Sequence, residues 1–174
     1  MTVRHTKTTD IDAVMSVIEE ARRTIAALGI DQWQNGSPNR DMIAEDVALE
    51  QGYCVEANGK IVGTFALLEQ GEPVYDEILD GAWLTADKQA DGSYAYLAIH
   101  RVAVAVAARG TGVSTAMMDY AAEVARAQGR SSLRIDTHRG NVVMRRMLEK
   151  HGFVHCGTVY LTGGDERVAY ERLL

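Results

Sequence analysis

The sequence predicts a mixed α/β fold, and three local patterns predict it. Two β-prone runs flank Asn58-Gly59 within YCVEANGKIVGTFALL, which reads as an antiparallel hairpin because Asn and Gly tolerate the positive φ of a two-residue turn. The apolar run RVAVAV meets Arg-Gly-Thr-Gly and passes at once into helical periodicity, giving strand, turn and helix in series. Beyond it come another strand and helix, then FVHCGTVYL and RVAYERL, two strands joined by the turn-like TGGD.

The remaining elements follow in chain order. A short first strand is expected around Val3 to His5. TTDIDAVMSVIEEARRTIAALG then reads as a helix with Asp10 as cap, Gly29 as stop, and Ile11, Val14, Val17, Ile18, Ala21, Ile25 and Leu28 on one apolar stripe. A second helix is expected within NRDMIAEDVALEQ, capped by Asn39, with Met42, Ile43 and Val47 inward. After the hairpin, a strand should run from about Tyr94 to Val104 and a helix from about Thr111 to Gln128, the latter with Val113, Met117, Tyr120, Ala121 and Val124 inward. SSLRIDT is the next strand, and NVVMRRMLEKH is a helix closed by Gly152.

At 174 residues and 47% hydrophobic content, the chain can bury a real core, and no repeat or Pro/Ser-rich linker divides it. One domain over residues 1–174 is expected, with Pro38 and Pro73 in loops. The balance of 18 basic to 24 acidic residues argues against holding nucleic acid through a broad phosphate-neutralising surface. Cys54 and Cys156 are too few and too far apart for a zinc site or disulfide framework, and read as reduced, small apolar residues, with a single Cys54–Cys156 disulfide as the alternative. MTVRHTKTTD carries no apolar leader, and no segment reaches the roughly 18 apolar residues of a membrane span. The expected location is the cytoplasm, with no metal and no membrane partner.

The two glycines of RGTGVS have a physical use. The first amides of a helix lack intrahelical partners, and the helix dipole favours negative charge there. Gly110 and Gly112 remove Cβ atoms that would keep a pyrophosphate from the backbone, while Arg109 and Ser114 add donors. An ordinary glycine turn with a surface arginine would use the same residues. The spacing matches neither G-x-G-x-x-G nor G-x-x-x-x-G-K-S/T, so dinucleotide and nucleoside-triphosphate readings lose support.

RGTGVS after HRVAV resembles the acetyl-CoA signature R/Q-x-x-G-x-G/A of the GCN5-related N-acetyltransferases, the GNAT family. The later NVVMRRMLEKHGF resembles that family's N-x-x-A-x-x-L-Y-x-K-x-G-F. The resemblance extends to the order of elements along nearly the whole chain. It implies the acyl-CoA N-acyltransferase fold, a mixed and mostly antiparallel central sheet flanked by about four helices, and acetyl-CoA as co-substrate. Carried over by position, Val102, Ala103 and Val104 would offer backbone groups to the pantetheine arm. Arg109, Gly110, Thr111, Gly112, Val113 and Ser114 would surround the pyrophosphate, and Asn141 would reach the pantetheine side. Ser114 departs from the family's Gly/Ala but is small and polar. A homodimer through an exposed strand edge or the C-terminal β-pair, as occurs in the family, is a further implication.

Acyl transfer to an amine needs a neutral nitrogen, and a lysine-like amine is mostly charged at neutral pH. In the family that the chain resembles, a group on the strand before this turn often takes the proton, sometimes through water. His100 on that strand is the candidate base, and strict alternation would place it on one face with Val102 and Val104. A half-buried histidine with a backbone partner would look the same. Where the family commonly has a tyrosine to protonate the departing thiolate, this chain has Leu148, leaving Tyr160 as a substitute acid or water alone. Asp136 and His138, at a strand end, are candidate acceptor contacts.

IDQWQNGSPN, between the first two helices, lies where the resembled family places acceptor contacts, which makes Trp33, Gln34 and Asn35 candidates. The acidic segment 69–92 offers Tyr75 or Trp83 as an apolar wall for a cationic acceptor. A packed tryptophan and a solvated insert would read identically. The expected function is acetyl-CoA-dependent transfer to a primary amine of a small molecule or peptide, by direct attack in a ternary complex. The alternative is a non-catalytic acyl-CoA-binding module of the same fold, for which Leu148 speaks.

Overall fold

The computed structural model describes residues 1–174. Its seven strands run in the order β1-β2-β3-β4-β5-β7-β6, a mixed sheet, with four α-helices. The chain forms two compact units: residues 1–67 with 100–120, and residues 68–99 with 121–174.

In the first unit, β1 (Thr2–His5), β2 (Gly52–Ala57) and β3 (Lys60–Leu68) are antiparallel, with Val3 opposite Val55 and Cys54 opposite Thr64. The β2–β3 hairpin turns at Asn58 and Gly59, at φ 52° and 71°, as the Asn-Gly pair predicts. Helix α1 (Ile11–Ala26) buries the expected stripe from Ile11 to Ile25. Val14 and Ile18 are fully buried with Ile43 and Cys54, each such side chain stabilising by about 1.5–3 kcal/mol. Leu28 departs from the stripe and is 39% exposed, because the helix has already ended at Ala26. Helix α2 (Arg40–Ala48) is capped by Asn39, whose side chain accepts from the Met42 amide at 3.0 Å.

Asp10 departs from expectation too. A 3₁₀ turn, Thr8–Asp10, precedes α1, and the carboxylate accepts from the Lys7 amide at 2.8 Å and pairs with Arg4 at 2.6 Å instead of capping α1.

Strand β4 (Tyr96–Val104) and helix α3 (Val113–Ala127) each begin in one unit and end in the other. In the second unit, β4 runs parallel to β5 (Ser132–Thr137), with Tyr96 opposite Ser132 and Ala98 opposite Arg134. β5 pairs antiparallel with β7 (Glu166–Leu173), which pairs with β6 (Val154–Tyr160). Helix α4 (Val142–Lys150) follows β5.

The segment 69–92 is ordered by specific contacts. Pro73 opens a 3₁₀ turn, Pro73–Tyr75, rather than lying in plain loop. Leu79 exchanges two backbone hydrogen bonds with Thr158 of β6, both 2.8 Å. Arg134, wholly buried, lies between the rings of Trp83 and Tyr96 at 4.4 and 4.1 Å. Its guanidinium also pairs with the buried Glu171 and donates to the Thr85 carbonyl. A buried charge is tolerated where it is paired and hydrogen-bonded, and here both conditions hold.

Candidate functional site

Beyond β4 the chain makes a 3₁₀ turn at Val106–Ala108, leaves it at an extended Arg109, and enters α3 at Val113. Gly110 and Gly112 have φ of 77° and 92°, a region costly for any residue with a Cβ. A Cβ built on either meets no atom within 4 Å, so the space over the turn is open. Arg109 and Gly110 are exposed, and α3 has no acidic residue in its first turn. Free helix-start amides, an exposed guanidinium and an open backbone surface make an anion cradle suited to a diphosphate.

Two contacts from α1 fix this turn. Glu20 accepts from the Val106 amide at 2.7 Å, and Arg109 donates to the Thr24 hydroxyl at 2.8 Å. Glu20 and Thr24 lie one helical turn apart, on one face. Sequence reading left both out; the only signal was their i, i+4 spacing beside the buried stripe.

Strand β4 holds a feature that alternation does not foresee. Arg101 has φ 55°, a left-handed residue in mid-strand, so the pleat is broken between His100 and Val102. His100, Val102 and Val104 are half-buried, and Ala103 is buried with Val17 and Ala21 of α1. Strict alternation therefore holds from Val102 to Val104 and does not carry back to His100. The buried Asp46 of α2 pairs with Arg101 at 3.2 Å. Burial pushes the Asp46 carboxyl above its ordinary range, against the pull of Arg101 and then His100.

In the second unit, Asn141 caps α4 by accepting from the Met144 amide at 3.2 Å and is 8% exposed. The Tyr75 hydroxyl donates to Asp136 at 2.8 Å, and the Trp83 indole donates to the Tyr75 carbonyl at 2.9 Å. Burial, then the Asp136 charge, drives the Tyr75 hydroxyl well above its ordinary pKa, so it stays a donor. Tyr75 is wholly buried, which makes it a core residue rather than an acceptor wall; Trp83 is half-buried over Arg134. His138 accepts the Gly140 amide at Nδ1, 2.9 Å away. Leu148 is fully buried, while Tyr160 is 46% exposed.

Trp33, at φ 68°, packs on the α1 core and gives its carbonyl to Arg22. The exposed Gln34 bonds the Arg22 and Gln32 carbonyls, and Asn35 accepts from the Ser37 amide. Cys54 and Cys156 are free and buried, and burial raises both thiols, as inert apolar cysteines require. No group of three or more His, Cys, Asp or Glu side chains is placed to hold a metal, and no helix is long and apolar enough to cross a membrane.

Comparison with known proteins bears on this geometry. Residues 17–153 match the family described as Acetyltransferase (GNAT) family. A GNAT-family acetyltransferase structure from Streptococcus agalactiae is 33% identical, with 99% of this chain and 95% of that one covered and a TM-score of 0.85. The fold is shared at lower identity by PaiA N-acetyltransferase from Thermoplasma acidophilum in complex with coenzyme A. That likeness is 13% identity over 99% of this chain and 98% of that one, with a TM-score of 0.70. Ribosomal-protein-alanine N-acetyltransferase from Brucella melitensis is 17% identical over 100% of both chains, with a TM-score of 0.66. Comparison with curated proteins gives no match. With the glycine turn, the capped α4 and the mixed sheet in place, these matches establish that the chain belongs to the acetyltransferase (GNAT) family, whose acyl donor is acetyl-CoA.

Proposed function

We propose that this acetyltransferase acts on a primary amine of a small molecule or peptide, by direct attack within a ternary complex. The observation that carries the reading is the open turn at Gly110 and Gly112, fixed to α1 and leading into the free amides of α3. Bound there, acetyl-CoA supplies an acetyl thioester. Arg109, Gly110, Thr111, Gly112, Val113 and Ser114 hold its diphosphate, the backbone of Val102, Ala103 and Val104 follows its arm, and Asn141 serves from the start of α4.

His100 takes the proton that the acceptor nitrogen must shed. It is half-buried on β4, and a neutral imidazole nitrogen can accept a proton. Leu148 has no proton to give and no exposure, so the thiolate is protonated by water or by Tyr160, whose phenol reaches solvent. Trp33, Gln34, Trp83, Asp136 and His138 are the candidate acceptor contacts, and Asp136 brings a carboxylate suited to a cationic amine. The chain's net charge of −6 favours such an acceptor over an anionic one.

The test is release of free thiol from acetyl-CoA against a panel of amines and short peptides, for wild type and His100→Ala. The expected outcome is acceptor-dependent release that falls about a hundredfold or more in kcat in the variant, with the acetyl-CoA KM changed far less. An unchanged rate between pH 6 and 8 would remove His100 from the role.

A further inference from the structure

Asp46 sits three residues after Ile43 on the inward face of α2, so a carboxylate occupies a position where the helix pattern calls for an apolar side chain. Four groups act on it: Arg101 and His100 of β4, its neighbour Glu45, and the Gln51 side chain. The ion pair with Arg101 is 3.2 Å, with side-chain exposures of 3% for Asp46 and 18% for Arg101. Arg101 is the left-handed residue of β4, a conformation that a non-glycine residue keeps only when its surroundings impose it. A buried charge and a strained backbone thus meet beside His100.

We propose that Asp46 is a positioning residue for β4: its carboxylate holds Arg101 left-handed and thereby sets how His100 and the backbone of Val102 to Val104 are presented. Asp46 is retained for this despite the cost of its burial. The inference rests on the proposed reading of β4 as the strand that serves cofactor and acceptor.

Hydrogen exchange resolved over residues 96–104 of the free chain tests it, in wild type, Asp46→Asn, Arg101→Gly and the double variant. Glycine adopts positive φ without help, so it should remove the need for the carboxylate. Asp46→Asn is expected to speed exchange roughly tenfold, the scale of the strain released, and Arg101→Gly in the same chain should restore it to within about twofold. Turnover should follow, with kcat lowered and the acetyl-CoA KM raised in Asp46→Asn, and both recovered in the double variant. Unchanged exchange in Asp46→Asn, or a double variant as fast as the single one, overturns the proposal. If Asp46→Asn fails to fold, a folded double variant supports it and an unfolded one overturns it. A wild type that binds no acetyl-CoA would sink the reading of the strand, while the exchange result would still decide the hold on Arg101.

Discussion

Asp10 illustrates how a residue's partners, more than its type, fix its contribution. Its sequence position suits a helix cap, but it ends a 3₁₀ turn that precedes α1, and its carboxylate reaches back to Arg4 and the Lys7 amide. The Arg4 hydrogen bond, with the Lys7 amide adding to it, holds its carboxyl below the ordinary range against the opposing effect of burial. A depressed folded pKa means the stabilisation is whole above the ordinary aspartate value near 3.9 and is lost as pH falls through the lowered value. Asp10→Asn should therefore cost about 1 kcal/mol at pH 7, and the gap from wild type should close as pH falls below the ordinary aspartate range. Thermal unfolding at pH 7, 5 and 2.5 reads this, and a gap that stays constant with pH would refute it. Leu148 and Tyr75 carry the same lesson. One is a fully buried leucine with no proton to give, and the other is a tyrosine whose hydroxyl serves the interior.

At the scale of elements, the segment 69–92 behaves as built structure. Its backbone runs so close to β6 that a Cβ on Gly81 would stand 1.9 Å from the Cys156 carbonyl oxygen. Gly81→Ala should push the segment off β6 and cost about 2–3 kcal/mol or more, seen as a lowered denaturant midpoint. A midpoint equal to wild type would mean that the segment yields freely. Acidic composition alone could not reveal this packing, because Arg134, Trp83 and Glu171 are distant in sequence and meet only when β5 and β7 pair. What was legible came from local rules: the Asn58-Gly59 hairpin, the Asn39 cap, and the α1 stripe. What was not legible came from tertiary context. Period-2 reasoning assumes extended backbone, so it missed the left-handed Arg101, and the pattern of α2 gave no reason to bury Asp46.

For the whole molecule, the strand order and the family match agree with what the two sequence motifs implied, and the glycine turn is where that agreement acquires chemistry. The central claim is that residues 109–114 hold the diphosphate of acetyl-CoA. It is tested most directly by calorimetric titration of wild type and Arg109→Ala with acetyl-CoA. The account predicts one-site binding by the wild type, weakened roughly tenfold or more in the variant through loss of a charge-assisted donor. Equal affinity in the two chains, or no binding by the wild type, would contradict it.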